Sequence, residues 1–173
     1  LLGRAVAALR KGDVPDLDKP LNSGVEINLH VHALLPEDYV PDVHVRLILY
    51  KRIASASSAN ELRDLQVELI DRFGLLPDGA KNHLRLAELK LAAQKLGIEK
   101  IDAAGQGGYL IFAEQTRTDP VALINLVQSE GDIYRLNGAH RLQFRLDLEN
   151  PEQRFRHLEH LLDILARDSV QSI

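Results

Sequence analysis

The feature that most constrains the fold of this chain is an amphipathic segment that ends at Gly74. Ser58 and Glu61 have the spacing of a capping box and glycine is a common residue at a helix end, so a helix is predicted between these limits. Such a helix has to bury its apolar side against a second layer of structure. Apolar side chains recur along that side at helical spacing: Leu62, Leu65, Leu69 and Phe73, with Ile70 beside them.

The opposite side of this predicted helix carries a row of acidic residues. The row consists of Glu61, Asp64, Glu68 and Asp71, and Arg72 lies at its border. Like charges three and four positions apart oppose helix formation by ~0.2–0.5 kcal/mol per pair, so the row does not stabilise the helix itself. A solvated surface is the usual explanation of such a row, and contact with a charged partner is the alternative.

Two more helices are predicted on either side of this one, and each is apolar on two sides. The first runs from an N-cap at Asp42 to about Ala56 and should be mostly buried. One apolar side consists of Val43, Leu47, Tyr50 and Ala54, and the other consists of Val45, Leu49 and Ile53. The other runs from a cap at Asp78 to Gly97 and should lie between two layers. Its stripes are Leu84, Ala87 and Leu91, and Leu86, Leu89, Ala93 and Leu96.

Strands are predicted before and after these helices. Residues 25–32 alternate apolar with polar side chains, which is typical of a strand with one buried face. Residues 98–103 and 109–114 flank a glycine-rich turn, and residues 132–136 and 141–146 flank Asn137-Gly138, so two hairpins are expected. A helix follows each hairpin, from Asp119-Pro120 to about Gln128 and from Asn150-Pro151 to about Ala166. The predicted class is α+β, a three-helix layer packed with a mostly antiparallel sheet built from hairpins alternating with helices.

Length and composition exclude several classes of protein. The chain has 173 residues, a net charge of −4 and no cysteine, which argues against a broad phosphate-binding surface and against a thiol nucleophile or cysteine-ligated zinc. No apolar run reaches the ~18–20 residues that cross a bilayer, so a cytoplasmic protein without membrane contact is expected. The chain begins inside a helical pattern and contains no methionine, so we expect it to be part of a longer protein.

Histidines and glycines offer weak candidates for metal and phosphate sites. His30 and His32 share one side of the first predicted strand with His44 nearby in sequence, but no third ligand has a convincing spacing for zinc. His157 and His160 on the last helix have the same shortcoming. Residues 105–108 connect two strands, whereas phosphate loops lead into a helix, so a hairpin turn is predicted there. No GxxxxGK[ST] motif occurs, and no cofactor is expected in this chain.

Arginines late in the chain give the main alternative function, a nucleic-acid-binding module. The residues concerned are Arg135, Arg141 and Arg145 on the second hairpin and Arg154, Arg156 and Arg167 on the last helix. Arginines that alternate with apolar residues are also typical of an ordinary solvated strand face, which the net negative charge favours. A metal-dependent hydrolase would be a third possibility if zinc were bound.

Three stretches of the sequence resemble the C-terminal domain of bacterial transcription-repair coupling factors, the Mfd family. They are LLPEDYVPDVHVRLILYKRIA, ELRDLQVELIDRFGLLPDGA and LAAQKLGIEKI. The similarity extends in order from about Val25 to Leu165, and the block ELIDRFG, which ends at Gly74, is its most specific part. The resemblance implies that residues 1–24 end a preceding motor-domain helix and form a linker, and that residues 25–173 form the regulatory domain.

The resemblance also implies a function for the acidic helix. In this family the parent protein uses ATP and magnesium to translocate on DNA, displaces stalled RNA polymerase and recruits the excision nuclease through an N-terminal UvrB-like module. The C-terminal domain packs over that module and masks its UvrA-binding surface. Glu68, Asp71 and Arg72 match the charged residues that the family turns toward the module, and Asp64 extends the same row. The chain itself is then expected to be a non-catalytic, autoinhibitory domain.

Overall fold

The computed structural model describes the backbone of residues 24–171 and the side chains of residues 24–166. Of the predicted N-terminal segment 1–24, all but Gly24 lies outside the described residues. The described range contains five helices and five strands. The helices are α1 (Val43–Ala54), α2 (Ala59–Phe73), α3 (Asp78–Leu96), α4 (Pro120–Ser129) and α5 (Pro151–Gln171). The strands are β1 (Glu26–Asn28), β2 (Ile98–Ala104), β3 (Gly107–Phe112), β4 (Tyr134–Leu136) and β5 (Arg141–Arg145).

The five strands form one mixed sheet in the order β1-β2-β3-β5-β4. Strand β1 pairs with β2 in parallel, and every other neighbouring pair is antiparallel. The two hairpins, β2–β3 and β4–β5, meet through their second strands, with Leu110 opposite Leu142. Each hairpin leads into a helix, so the predicted α+β class and the alternation of hairpins with helices are confirmed.

Two hydrophobic clusters hold the described part of the chain together. The larger one joins one face of the sheet to α3, α4 and α5, and its fully buried members include Ile101, Leu110, Leu142 and Leu158. The smaller one joins α1, α2 and the first half of α3 through residues such as Leu49, Leu69 and Leu84. Helix α3 contributes to both clusters, since Leu84 belongs to the smaller and Leu89, Ala93 and Leu96 to the larger. The prediction that this helix lies between two layers is confirmed.

Helix α1 is less buried than its two apolar sides predicted. Leu49 and Ile53 are buried, but Val43 and Leu47 are 57% and 61% exposed and Ile48 is 45% exposed. The helix packs on one side only, within the cluster it shares with α2 and α3. Hydrophobic periodicity reports which residues are apolar, and it cannot report whether the fold provides a neighbour for each side of a helix.

Two boundary predictions are also wrong. The first strand covers Glu26–Asn28 and not residues 25–32, because the amide of His30 donates to Asn28 Oδ1 and the φ of His30 is 55°, which turns the chain out of the sheet. Asp78 is the first residue of α3 and not its cap, since Pro77 occupies the N-cap position without a side-chain hydrogen bond. The caps Asp42, Ser58 and Asp119 are confirmed.

Candidate protein interface

Short-range hydrogen bonds fix the start of α2. Ser58 Oγ accepts from the amide of Glu61 at 3.2 Å, as a capping box requires. The carboxylate of Glu61 turns back to Ser57 instead of Ser58, and it accepts from the Ser57 hydroxyl at 2.8 Å and the Ser57 amide at 3.1 Å. These two hydrogen bonds hold the pKa of Glu61 below its usual value. One member of the acidic row is therefore occupied by the helix cap.

The end of α2 is fixed by a tyrosine that precedes α1. The hydroxyl of Tyr39 lies 2.7 Å from the carbonyl oxygen of Gly74 and 3.2 Å from that of Leu69, and it donates to this pair. The ring of Tyr39 packs against Phe73 with a centroid distance of 5.7 Å. Gly74 has a φ of 99°, a conformation that favours glycine, so the chain can leave the helix sharply. The last turn, which carries the charged residues, is thus held at a defined position.

Glu68 is clamped between two arginines. Arg52 of α1 donates from both terminal nitrogens, Nη1 to Oε2 and Nη2 to Oε1, each at 2.8 Å. Arg72, one turn further along α2, donates to Oε2 at 3.0 Å. Bidentate pairs of this kind fix orientation as well as adding energy. The hydrogen bond from Arg52, followed by that from Arg72, lowers the pKa of Glu68 to about 2.

The clamp shows that Glu68 also has a role within the fold. Its side chain is 33% exposed, less than the 44% of each arginine, and it joins α1 to α2. Arg72 also lies against the ring of Phe73, with its guanidinium carbon 4.9 Å from the ring centroid. The sequence did not indicate Arg52, because its pairing with Glu68 joins two helices. It depends on how the helices cross, and hydrophobic periodicity does not report that angle.

The remaining two acidic residues of the row are free within the described residues. Asp64 and Asp71 are exposed, and neither carboxylate has a hydrogen bond or ion pair there. Exposed apolar side chains accompany the charged ones: Val67 is 58% exposed on the same outward side of α2, and Leu75 follows the helix at 86%. The surface formed by Arg52, Asp64, Val67, Glu68, Asp71, Arg72 and Leu75, here called the α2 face, combines charges of both signs with apolar side chains. Such a mixture suits contact with another protein.

The histidine candidates do not assemble into a metal site within the described residues. His30 Nε2 lies 3.1 Å from Asp102 Oδ1, and no group of three or more histidine, aspartate or glutamate side chains converges in this part of the chain. His157 is half-buried beside Tyr134, with 3.2 Å between its Nε2 and the tyrosine hydroxyl. Burial lowers the pKa of His157 to about 4 and raises that of Tyr134 to about 12. Both are packing residues.

The glycine-rich segment is a hairpin turn between β2 and β3, as predicted. Gly108 lies opposite Ala103, and a Cβ at this glycine would collide with the carbonyl oxygen of Asp102. The glycine therefore allows a close approach of two strands and does not form a phosphate loop.

The late arginines do not form the single basic surface that the sequence suggested. Arg154 is buried, and its guanidinium donates to the carbonyl oxygens of Leu29, His30, Leu148 and Glu149. Arg156 is exposed and pairs with Glu152. The side chain of Arg167 lies outside the described residues. Arg135, Arg141 and Arg145 remain together on the sheet.

Comparison with known proteins identifies the family to which the chain belongs. The fold is that of the crystal structure of the C-terminal domain of transcription-repair coupling factor, which superposes with a TM-score of 0.69 at 24% identity over 83% of this chain and 94% of that one. The family model of the TRCF domain matches residues 29–123. The transcription-repair-coupling factors of Escherichia coli and Haemophilus influenzae are 44% and 45% identical over 98% and 96% of this chain. The chain belongs to the transcription-repair coupling factor family.

The chain spans only a small part of these relatives. It covers 15% of the Escherichia coli protein and 14% of the Haemophilus influenzae protein. Within residues 24–171, no helix is long and apolar enough to cross a membrane.

Proposed function

We propose that this chain is the regulatory C-terminal domain of a cytoplasmic DNA translocase that couples transcription to DNA repair. In this proposal the domain packs over an N-terminal UvrB-like module of the parent protein and masks the surface that binds UvrA. The parent motor would bind ATP, magnesium and DNA, and contact with RNA polymerase would reach this domain indirectly. The domain itself would carry out no catalysis. Membership of the family and the character of the α2 face support the proposal.

The observation that carries the proposal is the state of Glu68, Asp71 and Arg72. Glu68 and Arg72 are held in fixed orientations, whereas Asp71 is exposed beside them without a partner among the described residues. The core of this layer uses the other side of the same helix, where Leu62, Leu65 and Leu69 are buried. Glu68 and Arg72 are thus ordered before any partner binds, and the charge of Asp71 beside them is unpaired among the described residues, so the group is preorganised for an external partner.

The energies involved suit a reversible contact. Exposed ion pairs contribute only ~0.2–1 kcal/mol each. A few of them would therefore stabilise the closed arrangement weakly enough for a competing partner to open it. The exposed Val67 and Leu75 add apolar area that is covered in the closed state. Because the apparent affinity for UvrA scales with the open fraction, a modest loss of these contacts is amplified into a measurable change.

The deciding experiment uses the full-length parent and measures UvrA affinity. Reversal of both acids, Glu68→Lys with Asp71→Lys, replaces attraction by repulsion across the contact. We expect UvrA to bind roughly tenfold more tightly, which corresponds to a loss of about 1.4 kcal/mol in the free energy that favours the closed state. The matched control reverses two exposed acids far along the chain, Glu99→Lys with Glu114→Lys, and should leave UvrA affinity unchanged.

A second measurement separates masking from a general effect of charge. Binding of this chain to the separately produced N-terminal module is compared at about 50 mM and about 500 mM salt, because exposed charge contacts weaken as the Debye length shortens. We expect the wild type to bind with a clear salt dependence that the double reversal removes. Equal UvrA affinity of the wild type and the double reversal, with binding to the module intact, would exclude the α2 face as the masking contact.

A further inference from the structure

One face of the sheet is left outside the core. Residues directly opposite each other on neighbouring strands point to the same face. The pairs Lys100–Ile111, Asp102–Tyr109, Tyr109–Gln143, Ile111–Arg141 and Arg135–Gln143 therefore share one face. The intervening residues, such as Leu110, Leu142 and Phe144, fill the core on the other side.

The charges on this open face are unevenly distributed. Its acidic residues lie on β1 and β2 and have partners, since Glu26 pairs with Lys100 at 3.7 Å and Asp102 with His30 at 3.1 Å. On β4 and β5 the charged residues are arginines. Arg135 and Arg145 are exposed, and within the described residues their side chains have no ion pair or hydrogen bond. The β4–β5 half is therefore positive in a chain whose net charge is −4.

The positive half contains a shallow depression with a regular arrangement of donors. Its volume is about 460 Å³, and the residues that line it include Gly107, Arg135, Gln143 and Arg145, with Asp132 as an acidic lining residue. Arg141, Gln143 and Arg145 alternate along β5, so their side chains leave the sheet about 6.8 Å apart. That repeat is comparable with the distance between successive phosphates of an extended nucleic-acid strand.

An aromatic platform lies beside the depression. The guanidinium carbon of Arg141 lies 4.0 Å from the centroid of the Tyr109 ring, so the planar cation covers the tyrosine. Arginine planes and aromatic rings are both groups on which bases stack. An acidic peptide would gain nothing from such a platform, and it would pair more readily with the free edge of β4 than with the face of the sheet.

We propose that the β4–β5 half of the open sheet face binds a single strand of nucleic acid through its phosphodiester backbone. Arg135 and Arg145 contact phosphates, Arg141 over Tyr109 stacks on a base, and Gln143 lies between them. With about two phosphates neutralised, binding is sequence-independent and weak, in the range of ~10⁻⁴–10⁻⁶ M that is usual for non-specific contacts. This site is separate from the α2 face and does not depend on the masking proposal.

The test uses the full chain and fluorescently labelled oligonucleotides of about 15 residues, oligothymidylate and oligouridylate, with anisotropy read at about 50 and 200 mM salt. Two phosphate contacts give a slope of about −1.4 in the logarithmic salt plot, which is a loss of roughly sevenfold between these concentrations. The double substitution Arg135→Gln with Arg145→Gln should reduce the slope by about 1.4 and the affinity at low salt at least tenfold. A preference for one oligonucleotide identifies DNA or RNA as the ligand.

The control removes the same charge from helical surfaces through Lys51→Gln with Lys81→Gln, both exposed residues. It should keep the wild-type affinity and slope, and thermal melts should show that both double variants remain folded. Any one of three outcomes would overturn the proposal. These are that the wild type binds neither oligonucleotide at about 50 mM salt, that the control loses as much affinity as the arginine variant, or that a poly-aspartate peptide of equal charge competes as well as unlabelled oligonucleotide.

Discussion

Glu68 belongs to the fold and to the candidate interface at once, and this has a measurable cost. Its two partners, Arg52 and Arg72, would lose their carboxylate in the variant Glu68→Ala. Since exposed pairs contribute ~0.2–1 kcal/mol each, we expect the free energy of unfolding to fall by about 1 kcal/mol. Asp71→Ala, which breaks no contact among the described residues, should change it by less than ~0.5 kcal/mol. Urea unfolding of both variants measures the difference, and equal losses would show that the clamp adds nothing to stability.

His157 gives the molecule a dependence of stability on acid. Its pKa is lowered to about 4, first by burial and then by His160, so the folded state binds a proton more weakly than the unfolded chain. The stability contribution of the neutral ring is complete above about pH 6.5 and is lost as the pH falls toward 4. Between pH 7 and pH 4 the free energy of unfolding of the wild type should therefore fall by up to about 3 kcal/mol more than that of His157→Gln, as measured by urea unfolding at each pH.

Tyr134→Phe is the control for this prediction. It removes the hydroxyl that lies 3.2 Å from His157 Nε2 but keeps the ring buried. Because burial is the main cause of the lowered pKa of His157, this variant should lose some stability at every pH and keep the wild-type pH dependence. If it flattened the curve as His157→Gln does, the hydrogen bond and not burial would control the proton.

At the scale of elements, α2 offers a direct comparison of its two sides. Leu69 is fully buried in the smaller cluster, whereas Val67 is 58% exposed two positions earlier. Leu69→Ala should lower the free energy of unfolding by ~2–5 kcal/mol, because it removes buried methyl groups and leaves a cavity, and Val67→Ala by less than ~0.5 kcal/mol. Chemical denaturation measures both, and similar losses would mean that the buried and outward sides of this helix are wrongly assigned.

Elements whose determinants are local could be predicted from the sequence. The sides of α2, its cap at Ser58 and its end at Gly74 depend on residues within a few positions of one another, and all three predictions hold. The exposed side of α1 could not be predicted, because Val43 and Leu47 have the periodicity of core residues and their exposure depends on which element is adjacent. The clamp on Glu68 escaped prediction for the same reason, since Arg52 is distant in sequence.

At the scale of the whole molecule, Arg154 joins segments that are far apart in the chain. Its guanidinium donates to Leu29 and His30 after β1 and to Leu148 and Glu149 before α5. In Arg154→Met the buried carbonyl oxygens of Leu29 and Leu148 would lose their donor, so we expect the free energy of unfolding to fall by about 3–5 kcal/mol. Arg156→Met removes one exposed ion pair and should lose less than ~1 kcal/mol. Thermal unfolding of both variants measures the two losses. A small loss in Arg154→Met would show that water can replace the guanidinium.

Helix α3 contributes side chains to both hydrophobic clusters and so couples the unfolding of the two layers. Neither the α1–α2 layer nor the sheet can unfold without exposing the side of α3 that it covers. The backbone amides in the middle of α3 should therefore exchange with heavy water only through global opening, at rates that a single substitution in either layer changes alike. If the domain closes over a neighbouring module as proposed above, coupling of this kind would make it detach as a rigid body with its helices still folded. The open state would then present the same α2 face and close again without refolding.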